Sequence, residues 1–282
     1  MKKTTLFLLI NICSLITFAQ TTKPAVKSSG KPKLVVGIVI DQMRYDYIYR
    51  YWNKFGNDGF KKLVNEGFFC KNTNFNYVPT YTGPGHASIF TGTTPSVHGI
   101  IANDWFDAVK KNKVYCAEDN NVIGVGTTAK EGKRSPVNMK TTTITDELRL
   151  SSNMKSKVIG IALKDRSAIL PAGHTANAAY WYDGSNGFFI SSSYYMKELP
   201  QWVQDFNKKE LPKKYLSQPW NALLPMDQYT ESLPDDNKYE LVWKGETKPV
   251  FPHDLAKLYP SNGGLGMIRS TPFGNTLTKD FA

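Results

Sequence analysis

The sequence is poor in cysteine and histidine, lacks polybasic tracts, and has no long apolar run beyond its first nineteen residues. Three cysteines in 282 residues, with no C-x-x-C, exclude a disulfide-stapled miniature scaffold and argue against a thiolate zinc site. None of the four histidines, His86, His98, His174 and His253, stands in an H-E-x-x-H helix, and there is no G-x-S-x-G elbow. After residue 19 no segment approaches the ~20 apolar residues that a membrane-spanning helix needs. The net charge of +11 comes from 35 Lys+Arg against 24 Asp+Glu, with lysines in ones and twos such as Lys61-Lys62 and Lys208-Lys209. That scatter reads as a basic solvated surface rather than a nucleic-acid-binding face.

What is present is a globular composition, 41% hydrophobic and 21% charged, long enough for one large domain or two ordinary ones. Lys2 and Lys3 precede an apolar stretch from Leu6 to Phe18, and the run ends on Thr17-Phe18-Ala19. This resembles a secretory signal peptide over residues 1–19, cleaved after Ala19 and too interrupted by Asn11, Ser14 and Thr17 to serve as an anchor. A periplasmic or secreted protein with no membrane attachment after cleavage is expected. Residues 20–33, rich in Thr, Lys, Pro, Ser and Gly, read as a flexible lead-in. Cys70 and Cys116 then remain, either as one disulfide or as two buried thiols.

From Leu34 the patterning is that of an α/β fold, a parallel sheet flanked by helices. Leu34 to Ile40 is a continuous, mostly β-branched run ending on Asp41, which predicts a strand buried on both faces. Helices are predicted over Phe60 to Glu66, closed by Gly67, and over Ile144 to Leu150, with a second strand over Lys157 to Leu163. Between about residues 191 and 260, Trp202, Phe206, Tyr215, Trp220, Tyr229, Tyr239 and Trp243 are separated by prolines and polar residues, which reads as a loop-rich inserted subregion. Its aromatics either pack in a core or line a binding face. Thr276 to Ala282 looks like a cap and the first turn of a helix, so the sequence reads as cut within an element.

Chemistry is suggested at four places. Asp41 follows a predicted buried strand, where an acid is well placed for a cation and where it is also an ordinary turn former. Thr82, in Thr82-Gly83-Pro84-Gly85-His86, is a candidate N-cap with Pro84 in the tolerated first turn, so that helix amides point back toward an anion. Lys164 and Arg166 follow the second strand, and in extended chain residues two apart face the same side, giving two cations for a phosphoryl group or for surface acids. The glycine-rich segment Gly124 to Arg134 fails as a phosphate loop, because five residues separate Gly126 from Gly132 and Arg134 stands where Ser or Thr should be; it reads as a mobile surface loop.

Taken together, Asp41, Thr82 in Thr-x-Pro-x-His, Thr91-Gly92 with Pro95, His98-Gly99-Ile100, the stretch Asn103 to Asp107, and Lys164-x-Arg166 resemble the alkaline phosphatase superfamily. The likeness is to the PafA-type phosphate-irrepressible enzymes, relatives of the nucleotide pyrophosphatase/phosphodiesterases, and it runs from Leu34 to the last residue. The resemblance implies two zinc ions, with Asp41 and Thr82 as metal ligands and Thr82 as the nucleophile that forms a phosphothreonine. It also implies that Asn103, Lys164 and Arg166 contact a small phosphate monoester. The remaining ligands of that family, an Asp-x-x-x-His pair, an Asp-His pair and a late His, have no counterpart here. The chain is therefore expected to be the N-terminal part of such an enzyme, inactive alone. The competing expectations are a phosphodiesterase or nucleotide pyrophosphatase, and a non-catalytic anion-binding module.

Overall fold

The computed structural model describes residues 32–109 and 111–282. The expected signal peptide and most of the lead-in lie outside the described residues. The chain divides into two units, residues 1–39 and 40–282. In the first, residues 32–39 form no strand, and Leu34, Val35, Val36 and Ile38 are exposed. The strand expected over Leu34–Ile40 is thus absent. An apolar β-branched run becomes a buried strand only where neighbouring strands satisfy its amides and helices cover its faces, and no described strand pairs with this one.

The second unit contains helices α1 (Asp46–Arg50), α2 (Phe60–Glu66), α3 (Thr82–Thr91), α4 (Pro95–His98), α5 (Ile144–Ser151), α6 (Asp165–Ala172), α7 (Gln201–Asn207), α8 (Leu211–Leu216), α9 (Leu255–Leu258) and α10 (Phe273–Phe281). Strands β1 (Asp104–Asp107) and β2 (Asn112–Tyr115) form an antiparallel hairpin. Strands β3 (Gly124–Val125), β4 (Ile159–Ala162), β5 (Ala178–Asp183) and β6 (Phe188–Ser192) form a sheet of order β3-β6-β5-β4. The α/β class is as expected, but this sheet is mixed. Only β4 and β5 run parallel, joined through α6, whereas β5–β6 and β3–β6 are antiparallel.

β5 explains the layering, because all six of its residues are buried and successive side chains alternate between faces. Ala178, Tyr180 and Tyr182 join a core with Phe189, Val203, Leu277 and Phe281, while Ala179 and Trp181 join a second with Ala87, Ile169 and Ile190. Trp181 is 1% exposed and donates its indole N–H to the Glu131 carbonyl at 2.9 Å, so truncation to alanine would cost about 3–5 kcal/mol. On β4, glycine is required at position 160, where a Cβ would sit 2.2 Å from the Ala168 carbonyl oxygen of α6. That close approach sets α6 on the sheet.

Local signals account for the helix limits. Thr143 and Asp146 form a reciprocal capping box at the start of α5. Gly67 closes α2 in an extended conformation rather than the left-handed one, and a Cβ there would meet the Leu63 carbonyl at 2.5 Å. α10 begins at Phe273, ahead of the Thr276 expected from sequence. The segment from Gly124 contributes β3 to the sheet instead of forming a mobile loop, and Gly132 lies against it, where a Cβ would approach the Gly124 Cα to 2.4 Å. Between residues 191 and 260, Phe206, Tyr215, Trp220 and Trp243 pack against the first core, while Tyr239 stays exposed. No helix among the described residues is long and apolar enough to cross a membrane.

Candidate active site

Thr82 is the first residue of α3, not its cap; Tyr81 holds the extended cap position and makes no side-chain capping bond. Released from capping, the Thr82 hydroxyl donates to Asp41 Oδ2 at 3.1 Å. The main chain at this terminus is fixed from both sides. His86 Nδ1 donates to the Thr82 carbonyl at 2.8 Å, and the Gly83 N–H donates to Asn103 Oδ1 at 2.7 Å. Burial pushes the His86 pKa down, the Thr82 carbonyl opposing it, which suits a neutral structural ring.

Glycine at position 83 is what permits the approach of Asn103. A Cβ there would lie 3.2 Å from both the Ala102 carbonyl and Asn103 Oδ1, and 3.3 Å from Cys116 Sγ. Asn103 is held in turn by the residue that follows β2, since the Cys116 N–H donates to its carbonyl at 2.9 Å. With Oδ1 engaged by Gly83, the Asn103 amide presents its N–H donors as the other end of the group. Cys116 is buried, and burial, then the Asp165 charge, pushes its thiol up to about 12. Cys70 is exposed; both thiols are free, and no disulfide joins them.

His98 is fully buried, and its roles are fixed by two partners. The Ile100 N–H donates to Nδ1 at 3.1 Å, so Nε2 carries the proton toward Ser88 Oγ at 2.9 Å. Both motif histidines thus brace α3.

Lys164 and Arg166 do not extend the strand as sequence spacing suggested. Lys164 caps α6, and Arg166 is in its first turn. The Lys164 side chain reaches solvent, yet the surrounding protein lowers its pKa, helped by the Arg269 and Arg166 charges and opposed by Asp165 and Asp41. Lys164 therefore lies within electrostatic reach of Asp41, Arg166 and Arg269, the last a cation that no sequence motif marked. Arg166 Nη1 donates to the Tyr115 hydroxyl at 3.1 Å. Tyr115 in turn donates to Asp165 Oδ1, and Arg134 Nε bonds Asp165 Oδ2 at 2.6 Å. Nothing in the sequence patterning singled out Tyr115, Arg134 or Asp165, because the three meet only through the fold.

Asp41 and Thr82 supply two oxygens at a separation one cation could share. Among the described residues, however, no three His, Cys, Asp or Glu converge, and catalytic zinc normally has three protein ligands. These two residues do not by themselves make a zinc site.

Residues 35–240 match the family described as type I phosphodiesterase / nucleotide pyrophosphatase. Among curated relatives, the alkaline phosphatase PhoV of Synechococcus elongatus is 54% identical over 90% of this chain and 46% of its own length. A Myroides odoratus protein named calcium-transporting ATPase is 51% identical over 96% of this chain and 49% of its own. The alkaline phosphatase PafA of Elizabethkingia meningoseptica is 52% identical over 89% of this chain and 46% of its own. The crystal structure of wild-type PafA superposes with a TM-score of 0.87 at 52% identity, covering 89% of this chain and 48% of that one. A solved PafA variant, TM-score 0.86, has serine in place of a threonine and alanine in place of an asparagine, a lysine and an arginine. The chain spans about half the length of the curated relatives it matches. By this match over most of its length, the chain belongs to the type I phosphodiesterase / nucleotide pyrophosphatase family, and within it is similar to the PafA and PhoV alkaline phosphatases.

Proposed function

We propose that the chain is the N-terminal portion of a periplasmic or secreted, zinc-dependent phosphatase that hydrolyses small phosphate monoesters through a phosphothreonine on Thr82. The observation that carries this reading is the constellation at two helix starts: Thr82 hydrogen-bonded to Asp41 at 3.1 Å, Asn103 tied to the next amide, and Lys164 and Arg166 opening α6. The solved PafA variant supports it. Its substituted threonine and asparagine stand as far apart as Thr82 and Asn103, and its lysine and arginine are two residues apart like Lys164 and Arg166.

In this reading the Thr82 oxygen bonds to phosphorus as the leaving-group oxygen departs, and water then releases phosphate from Thr82. Asn103, Lys164 and Arg166 bind the phosphoryl oxygens and hold phosphorus in line with the hydroxyl. A helix terminus with two cations suits a dianion better than a monoanion. Zinc would supply the charge that keeps the Thr82 oxygen ionised, with Asp41 and Thr82 as part of the ligand set of two ions in the full-length protein. The isolated 282 residues, holding only that partial set, are expected to bind zinc weakly and turn over little substrate.

The family description favours a second reading, cleavage of phosphodiesters or nucleotide pyrophosphates. Rates for an aryl monoester and the matching diester with the full-length protein separate the two. A preference for the monoester that disappears in Lys164→Ala/Arg166→Ala supports the first; a preference for the diester in the wild type replaces it with the second.

A further inference from the structure

Arg166 is a half-buried cation that makes no ion pair among the described residues. Among the described residues its Nε is buried without a partner, and its guanidinium makes one hydrogen bond, from Nη1 to the Tyr115 hydroxyl at 3.1 Å. A long, mobile side chain held at a single point takes its direction from that point. The point itself is unusually well fixed. The Tyr115 hydroxyl donates to Asp165 Oδ1, the same oxygen that receives the Arg166 backbone N–H at 2.7 Å. Asp165 Oδ2 receives Arg134 Nε at 2.6 Å, and the Arg134 guanidinium lies over the Tyr115 ring, 4.8 Å from its centroid.

The result is a closed bracket. Asp165 takes up one arginine, Arg134, so that the second, Arg166, meets a neutral hydroxyl oxygen and stays free to pair with a substrate. Burial and the Asp165 charge raise the Tyr115 pKa far above its ordinary value, so the hydroxyl keeps its proton through alkaline conditions. We infer that Tyr115, braced by Asp165 and Arg134, is a positioning residue that aims Arg166 at the phosphoryl group and thereby sets the preference for monoesters over diesters. This rests on the function proposed above.

The test uses the full-length protein and Tyr115→Phe, which removes only the hydroxyl and keeps the ring under Arg134. The expected result is a fall of about tenfold in monoester kcat/KM, the size of one hydrogen bond to a charged group, with the diester rate within about twofold of wild type. In an Arg166→Ala background Tyr115→Phe should change neither rate, and inorganic phosphate binding, measured by titration calorimetry, should weaken only when Arg166 is present. Equal losses on both esters, or a loss that persists without Arg166, overturns the inference and makes Tyr115 a general structural residue. If the wild type binds phosphate but hydrolyses neither ester, the proposed function fails while the calorimetry still decides the bracket. If it neither binds phosphate nor turns over, both are overturned.

Discussion

Thr82 Oγ1 donates to Asp41 Oδ2 across 3.1 Å, although the two residues are 41 positions apart. Asp41 lies in a turn and Thr82 starts α3, so the pair exists only in the folded unit. If Asp41 is part of a zinc ligand set, chelation of the full-length protein should abolish monoester turnover and added zinc should restore it. Asp41→Ala should lose at least about 100-fold and not be rescued at the zinc concentration that restores wild type. Rescue of the variant to wild-type rate would remove Asp41 from the ligand set.

Gly83 permits Asn103 to reach the α3 terminus. In Gly83→Ala the gain in helix propensity, up to about 1 kcal/mol, opposes the crowding of the new Cβ against Asn103 Oδ1, Ala102 and Cys116. Melting temperature should therefore move little. Monoester kcat/KM should fall by about 100-fold in Asn103→Ala, which removes the donor to the phosphoryl group, and in the same direction but by less in Gly83→Ala, where the Gly83 N–H to Asn103 bond is lost. Unchanged kinetics in both variants would remove Asn103 from the site.

The fold that carries Lys164 and Arg166 depends on Gly160. A Cβ there meets the Ala168 carbonyl at 2.2 Å and the Ala172 Cβ at 2.9 Å, so Gly160→Ala must push α6 off β4. A loss of about 1–3 kcal/mol or more in denaturant unfolding is expected. Wild-type stability would show that the helix and strand separate freely.

Asp146 and His174 give a pH signature of stability. Burial alone would raise the Asp146 pKa, but hydrogen bonds from His174, Thr143 and Thr175 outweigh it and hold the carboxyl well below the usual range. His174 is raised, first by the Asp146 bond. The His174 contribution is complete below about pH 6.5, its unfolded value, and is lost as pH rises through the higher folded value. The Asp146 contribution is present above about pH 3.9 and is lost as pH falls through its depressed folded value. Between those limits the pair contributes in full, so His174→Ala should destabilise more at about pH 5.5 than at about pH 9. An equal penalty at both would show that the imidazole is neutral throughout.

Much of this was legible where the signal is local. The limits of α2 and α5 follow from Gly67 and from the Thr143–Asp146 cap, both within a few residues of the helix they end. The β-branched run Leu34–Ile40 forms no strand, because a strand's burial is decided by its neighbours. Spacing makes Lys164 and Arg166 an extended pair, because it carries no sign that α6 begins at Asp165. Thr82 stands one position inside α3 rather than at its cap, which matters, since a capping threonine would spend its hydroxyl on backbone amides rather than on Asp41. Tyr115 lies 50 residues from Asp165, and Arg134 lies 31 from it, so no periodicity or motif could unite them.

The most direct test of the account is acid quench of the full-length protein during turnover of an aryl phosphate monoester, followed by peptide mapping of the phosphoryl group. Phosphate is expected on Thr82 in the wild type, with neither adduct nor turnover in Thr82→Ala. Turnover that persists in Thr82→Ala, or an adduct on another residue, would contradict it.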